Sequence, residues 1–255
     1  MATATLATQA TRAAPAVRLR DVRSRLVPYA TGLEWQREAQ RRAWARHDAA
    51  TLQAAATQEA ADAHELILLE HEPTITVGVR AASIGPALTA RALPPGTVTV
   101  RVDRGGLATY HGPGQLTGYL LFDLTQPPMR RDLHWMIRTM ESAVVDALRD
   151  GLGVADAAPG PPGRSGVWVG NAKVCAVGLG VKRWVTMHGF GLNVSEEAER
   201  GFDAIVPCGL PDATVTSVSR LLGRRTTTDE VRPLVRAALE RAYGVTCAAA
   251  REPDP

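Results

Sequence analysis

VWVGNAKVCAVGLGVKRWVTMHGFGLNV, residues 167–194, decides the fold class. Valines and glycines alternate with polar positions, and Gly170-Asn171 is a two-residue turn signal. The pattern predicts a meander of two or three antiparallel strands. Upstream, residues 156–165 (DAAPGPPGRS) form a Pro/Gly-rich loop. Before that loop, Met136, Met140, Val144 and Leu148 recur every fourth residue and predict a helix over 133–152. Residues 116–124 and 97–102 read as strands. Residues 82–96 read as irregular.

Further toward the N-terminus, ELILLEHEPTITVGVR (residues 65–80) reads as a buried strand, a turn at Pro73 and a second strand or loop. Residues 32–64 are strong helix formers, with a break allowed near 48–51. On the C-terminal side, 204–215 is loop and 217–222 begins a short helix. A last helix spans 229–243, capped by Thr228 or Asp229. Helix, strands, helix, meander and helices in that order give an α+β class with a mixed, mostly antiparallel sheet.

With 255 residues, 45% of them hydrophobic, the chain supports one substantial core. We expect a single domain over 17–247. Residues 1–16 are rich in Ala and Thr and are expected to be a disordered extension, with a transit peptide as the alternative. The tail 248–255 is expected to fray. The longest apolar runs fall short of the roughly 20 residues of a membrane helix. A formal charge of +3, without basic runs interleaved with aromatics, argues against nucleic acid. The set Cys175, Cys208 and Cys247 is odd and sparse, which suits a reducing cytoplasm and not a disulfide framework.

Three segments concentrate functional chemistry. Residues 104–115, RGGLATYHGPGQ, hold four glycines that disfavour regular strand or helix and permit close backbone approach. Arg104, Thr109, Tyr110, His111 and Gln115 add directional polar groups, which reads as a binding loop. The bland alternative is a turn whose polar groups satisfy one another. Cys208 lies between Pro207 and Gly209, a stiff and uncrowded setting for a nucleophile. Cys175 lies in an apolar strand and reads as a small hydrophobe. Lys173 opens that strand, either as a snorkelling surface residue or as a placed cation. A nearby ammonium favours the thiolate form of a cysteine. His188 sits among glycines, and His111 and His188 are candidates for one cleft. The six histidines show no CxxC, HxH or HExxH spacing, so no metal site is expected. A Cys-His hydrolase using Cys208 remains open on this reading.

RGGLATYHGPGQLTGYLLFDL, GVWVGNAKVCAVGLGVKRWVTMHGFGLNV and PCGLPDATVTSVSRLLG resemble, in order, the signature blocks of lipoyl(octanoyl) transferases. LLEHEPTITVGVR is similar to an earlier strand of that family, and the resemblance runs from about Arg18 to Tyr243. It implies a catalytic domain like that of biotin and lipoate protein ligases. It implies Cys208 as the acyl-thioester cysteine and Lys173 as the lysine that lowers its pKa. It implies acyl-substrate contacts from Arg104, Gly105, Gly106, Leu107, Ala108, Thr109, Tyr110 and His111. It adds Ala176, Val177 and Gly178, and then Gly189, Phe190 and Gly191. The implied donor is an octanoyl acyl carrier protein. The implied acceptors are lipoyl domains of 2-oxoacid dehydrogenase E2 subunits and the glycine cleavage H protein. No cofactor is implied, because the donor is already activated. Two positions depart from the family pattern: Gly191 stands where alanine is usual, and Cys175 where a small or branched apolar residue is usual. The rivals are an ATP-dependent ligase on the same fold, a Cys-His thioesterase and a catalytically silent binding domain.

Overall fold

In a computed structural model, residues 14–52, 64–81, 93–203, 205 and 213–249 are described. Chain order gives β1 (Ala16–Val27), α1 (Tyr29–Leu52), β2 (Glu65–His71), β3 (Thr74–Val77) and β4 (Val98–Arg101). Next come β5 (Ala108–His111), β6 (Gln115–Leu121), α2 (Leu133–Leu152), β7 (Ala157–Pro159) and β8 (Val167–Val169). The chain continues with β9 (Ala172–Lys182), β10 (Val185–Asn193), α3 (Glu196–Phe202), β11 (Thr214–Val215) and α4 (Val218–Leu222). It closes with α5 (Thr228–Tyr243) and β12 (Thr246–Ala249).

Among the described residues the main sheet runs β12-β1-β2-β6-β10-β9-β8-β7, with β11 alongside β9. The β12-β1-β2 end is parallel, and β2 through β7 is antiparallel. A second sheet, β4-β3-β5, packs separately. The central strands are apolar on both faces because helices cover both. Leu66 and Leu68 of β2 and Leu116 and Leu120 of β6 join a core with α2 and α5 residues such as Met136, Met140, Val231 and Val235. Ile67, Leu69, Tyr119 and Leu121 face the other way, onto Tyr29, Leu33 and Ala39 of α1. The architecture is α+β, a mixed sheet flanked by helices, as the residue pattern predicts.

The helix α2 has the predicted bounds. Asp132 caps it by accepting from the backbone N–H groups of His134 and Trp135, and Gly153 closes it at φ +75°. The meander is three strands, with Gly170 at φ +58° in its first turn.

Several expectations are corrected. The helix α1 starts at Tyr29, earlier than Gly32, and runs unbroken through residues 48–51. Its expected continuation over 53–63 lies outside the described residues. The helix α5 is capped one residue earlier than expected, where Thr227 accepts from the Glu230 N–H. Ala108–His111 is a strand despite its glycine-dense surroundings, because pairing with β3 supplies its hydrogen bonds. Ala16, placed in the N-terminal extension, begins β1; the rest of that extension up to residue 13 lies outside the described residues. Ala248 and Ala249 do not fray; they pair in parallel with Arg18 and Leu19. Among the described residues no helix is long and apolar enough to cross a membrane.

Candidate active site

A cleft opens between the loop leading into β5 and the β9–β10 hairpin. It is lined by Arg80, Arg104, Gly105, Gly106, Leu107, Ala108, Thr109, His111, Tyr119, Ser165, Lys173, Ala176, Val177, Gly178, His188, Gly189, Phe190 and Gly191. Its empty volume is about 610 Å³, part of it open to solvent.

The loop wall is braced by Arg104, which is buried. Its Nη2 donates to the Thr76 carbonyl at 2.8 Å and to Thr76 Oγ1 at 2.7 Å. Its Nη1 donates to the carbonyls of Leu107 at 2.9 Å and Gly105 at 3.0 Å. The planar fork of donors thus holds its own loop in shape. The Gly105 N–H donates to the Leu179 carbonyl at 2.9 Å, tying the loop to β9. Glycine is required at position 78, where a Cβ would lie 2.5 Å from the Gly106 carbonyl oxygen.

The sheet wall comes from cross-strand partners. Gly189 faces Gly178, Phe190 faces Val177, and Gly191 faces Ala176. The two strands of this hairpin therefore form one continuous surface, with glycines at 178, 189 and 191. The Phe190 ring packs over Gly118 and belongs to the main core. A Cβ at Gly178 would lie 3.2 Å from the Gly105 carbonyl oxygen, so the loop and the sheet approach closely here.

Lys173 reaches this cleft because of an irregularity. Val167 pairs with Cys175 but Trp168 pairs with Lys173, so one extra residue is inserted in β9. Val174 and Cys175 both enter the core as a result, while Lys173 lines the cleft. Bulges often re-aim side chains in this way. The buried Lys173 Nζ donates to the Ser165 carbonyl at 2.9 Å and sits 4.6 Å from the centre of the Trp168 ring. β11 runs beside it, with Val215 paired to Lys173 and the Thr216 N–H donating to the Lys173 carbonyl.

Histidines form a third group. Gln115 is oriented by its own donations to the Tyr110 carbonyl and to Asn193 Oδ1. Its Oε1 therefore accepts from His111 Nδ1–H at 2.8 Å, which leaves His111 Nε2 as the acceptor nitrogen. Burial holds His111 well below the usual imidazole range, helped by His71 and Arg104. His71 donates through Nδ1 to the Val27 carbonyl at 2.7 Å and accepts the Tyr119 hydroxyl at Nε2, 2.6 Å away. Burial lowers it to about 4. His188 takes φ +65° within β10, a conformation uncommon for a residue with a side chain. It bonds Asp103 at 3.0 Å, and burial lowers its pKa although Asp103 opposes the shift. Burial therefore favours the neutral form of all three imidazoles.

All the expected acyl-contact positions line the cleft except Tyr110. Its ring turns into a satellite cluster with Phe202, centroids 5.9 Å apart, because alternation along β5 sends it away from Thr109 and His111. Lys173 is at the cleft; Cys208 lies outside the described residues. Ile205 and Ala213, before and after it, are both buried. Cys175 is buried, and burial pushes its thiol up, so it behaves as a core residue. Cys247 is also pushed up, to about 12. Arg80, Tyr119 and Ser165 line the cleft without having been singled out from sequence. Among the described residues no group of three His, Cys, Asp or Glu side chains is arranged to hold a metal ion.

Residues 41–240 match the lipoyl protein ligase A/B catalytic domain family. The chain is 40% identical over 223 residues to an octanoyltransferase of Gloeobacter violaceus, covering 87% of this chain and 89% of that one. It is 45% identical over 170 residues to an octanoyltransferase of Geobacter sp. strain M21, covering 67% and 78%. Its fold is similar to a bipartite lipoate protein ligase of Thermoplasma acidophilum, with a TM-score of 0.61, 18% identity and coverage of 92% and 87%. A T. acidophilum protein solved with bound lipoic acid gives a TM-score of 0.66 at 18% identity, covering 92% and 89%. With a cleft built from the same segments that carry the sequence resemblance, the chain belongs to the lipoyl protein ligase A/B catalytic domain family and, within it, to the octanoyltransferases, which are acyltransferases.

Proposed function

We propose that this enzyme transfers an octanoyl group from an acyl carrier protein thioester to a lysine of a lipoyl domain, through a thioester on Cys208. The observation that carries the reading is Lys173, a buried cation on the wall of a cleft otherwise floored by Ala176, Val177, Gly178, Gly189, Phe190 and Gly191. Small residues leave room for an alkyl chain. At roughly 0.8 kcal/mol per buried CH₂, an eight-carbon acyl group gains several kcal/mol there. The Lys173 ammonium favours the Cys208 thiolate. Support for their proximity comes from β11, which follows Cys208 by a few residues and pairs with Lys173.

In the first step the thiolate attacks the octanoyl carbonyl carbon. The bond to the carrier sulfur breaks, and the carrier leaves as a thiol after taking a proton. In the second step the lysine amine of the lipoyl domain attacks the new thioester. An amide forms, Cys208 leaves as thiolate, and the amine proton passes to a base. Neutral Lys173 is one candidate for that base and His111 Nε2 is another. The backbone N–H of Gly106 is a candidate donor to the tetrahedral oxyanion. Both donor and product are acyl derivatives of similar or lower energy, so the chemistry needs neither nucleotide nor metal. The acceptors would be lipoyl domains of 2-oxoacid dehydrogenase E2 subunits and the glycine cleavage H protein. The compartment would be a reducing cytoplasm, where a free thiol persists.

Intact-protein mass after mixing with octanoyl acyl carrier protein tests this. Wild type should gain one octanoyl group, labile to hydroxylamine. Cys208→Ser should gain none, and Lys173→Ala should gain it slowly. Modification of a lipoyl domain without any enzyme adduct would overturn the covalent route. Transfer that requires ATP would point to a ligase instead.

A further inference from the structure

We infer that Glu141 is a positioning residue for Lys173 and acts on it through a single peptide group. The inference rests on the role given to Lys173 above. Glu141 lies on α2, on the face that also buries Met136, Met140, Val144 and Leu148, and is itself buried. A carboxylate there is costly unless it is hydrogen-bonded. Its Oε1 accepts from the Gly166 N–H at 2.6 Å. The carbonyl at the other end of that same peptide unit belongs to Ser165, and it accepts from Lys173 Nζ at 2.9 Å. Carboxylate, amide and ammonium therefore form one chain. A hydrogen bond from an amide N–H to an anion shifts electron density toward the amide oxygen. That oxygen then becomes a better acceptor for a cation.

The peptide is built to be held this way. Gly166 takes φ +115°, and a Cβ on it would lie 2.3 Å from the Cys175 carbonyl oxygen. Its own carbonyl accepts from the Gly160 N–H at 2.8 Å. Trp168, whose ring lies under Lys173, donates its indole N–H to the Arg164 carbonyl at 3.2 Å. Among the described residues, the charged and titratable groups facing this corner include Glu141 and Arg138 from α2, Arg164 over the Trp168 ring, and Cys175 from β9. Burial raises the Glu141 carboxyl, while the Gly166 N–H, Lys173 and Arg138 pull it down. Burial keeps Cys175 neutral. Glu141 is thus the group in this set whose negative charge favours the Lys173 ammonium.

The test compares Glu141→Gln, which keeps an acceptor oxygen but no charge, with Glu141→Leu, which keeps neither. Each is also made in a Lys173→Ala background. The acylation rate constant with octanoyl acyl carrier protein is followed from neutral to alkaline pH, and the KM for the lipoyl domain and the thermal midpoint are recorded. We expect Glu141→Gln to lower acylation up to roughly tenfold, the scale of the difference between a charged and a neutral hydrogen-bond partner. Its alkaline limb should move to lower pH with the lipoyl-domain KM unchanged. In Lys173→Ala the same substitution should have no further effect on rate. Glu141→Gln with a wild-type rate and pH profile overturns the proposal, as does an effect that persists in full without Lys173. If Lys173→Ala alone acylates like wild type, the reading of Lys173 has failed first, and the Glu141 proposal falls with it.

Discussion

Arg104 and Lys173 are both buried and both line the cleft, but the fold treats them differently. The Arg104 guanidinium is turned onto the backbone of its own loop and onto Thr76, so its charge serves to shape a wall. Lys173 is aimed by a bulge, held at a carbonyl and laid over an indole ring. Residue type matches the difference. Arginine is a rigid, permanently charged fork, whereas lysine is a point charge that can give up its proton. One cation is scaffold; the other is placed on the cleft wall by one carbonyl and one indole ring.

The largest effect should follow removal of the Lys173 cation. Lys173→Ala should slow acyl-enzyme formation by about 10²–10⁴-fold, the range of a positioned acid or base. The fold should lose only about 1 kcal/mol, the net worth of one hydrogen bond. Single-turnover mass spectrometry and a urea titration give the two numbers. Wild-type acylation with a large stability loss would make Lys173 scaffold like Arg104 and erase the contrast.

Arg104→Met should show the reverse. The carbonyls of Thr76, Gly105 and Leu107 lose a donor, and stability should fall on the order of 3 kcal/mol. In whatever folds, the loss should appear as a raised KM for the acyl donor, with the pH profile of acylation unchanged. A shifted profile would mean that Arg104 also acts electrostatically on the chemistry.

The histidines beside these cations set a pH limit on the fold. His71 has a native pKa of about 4, below the 6.5 of the unfolded chain. Its neutral form is the native one, so stability is complete above pH 6.5 and declines as pH falls toward 4. Between neutrality and about pH 5 this single group removes on the order of 2 kcal/mol. His111 and His188 shift in the same direction and add to the slope. Urea midpoints at the two pH values should differ accordingly, and His71→Gln should flatten the difference. An unchanged slope in that variant would assign the acid sensitivity to the other two imidazoles.

Much of the fold was legible in local pattern. Four apolar residues at helical spacing marked α2 to the residue, and Gly170-Asn171 marked the turn into β9. What escaped depends on partners distant in sequence. β1 is rich in arginine, and only Val17, Leu19 and Val27 betray its buried positions. β12 exists because β1 offers it an edge, and β5 because β3 does. At the site, the glycine-rich segments were recognisable as blocks, but their roles were not. Nothing local in the sequence says that Arg104 folds back on its own loop. The aim of Lys173 depends on a bulge set by pairing with β8. Glu141 was not singled out in the sequence, and only the packing of α2 under the 165–166 peptide shows what its carboxylate does.

The smallest expected effect tests how closely the Arg104 wall approaches the sheet. A methyl group at Gly178 would meet the Gly105 carbonyl oxygen at 3.2 Å and Arg104 Cδ at 3.3 Å. Both contacts are tight but sit on a loop that can yield by a few tenths of an ångström. Gly178→Ala should therefore fold. It should narrow the cleft where an acyl chain would run, at a position remote in role from the cation. If the chain loses one methylene of burial, kcat/KM for octanoyl transfer should fall about fourfold relative to hexanoyl. Intact-mass competition between the two acyl carriers reads that ratio directly. An equal loss for both chain lengths would mean that the methyl group has moved the Arg104 loop itself, so that the scaffold and not the pocket's width limits transfer.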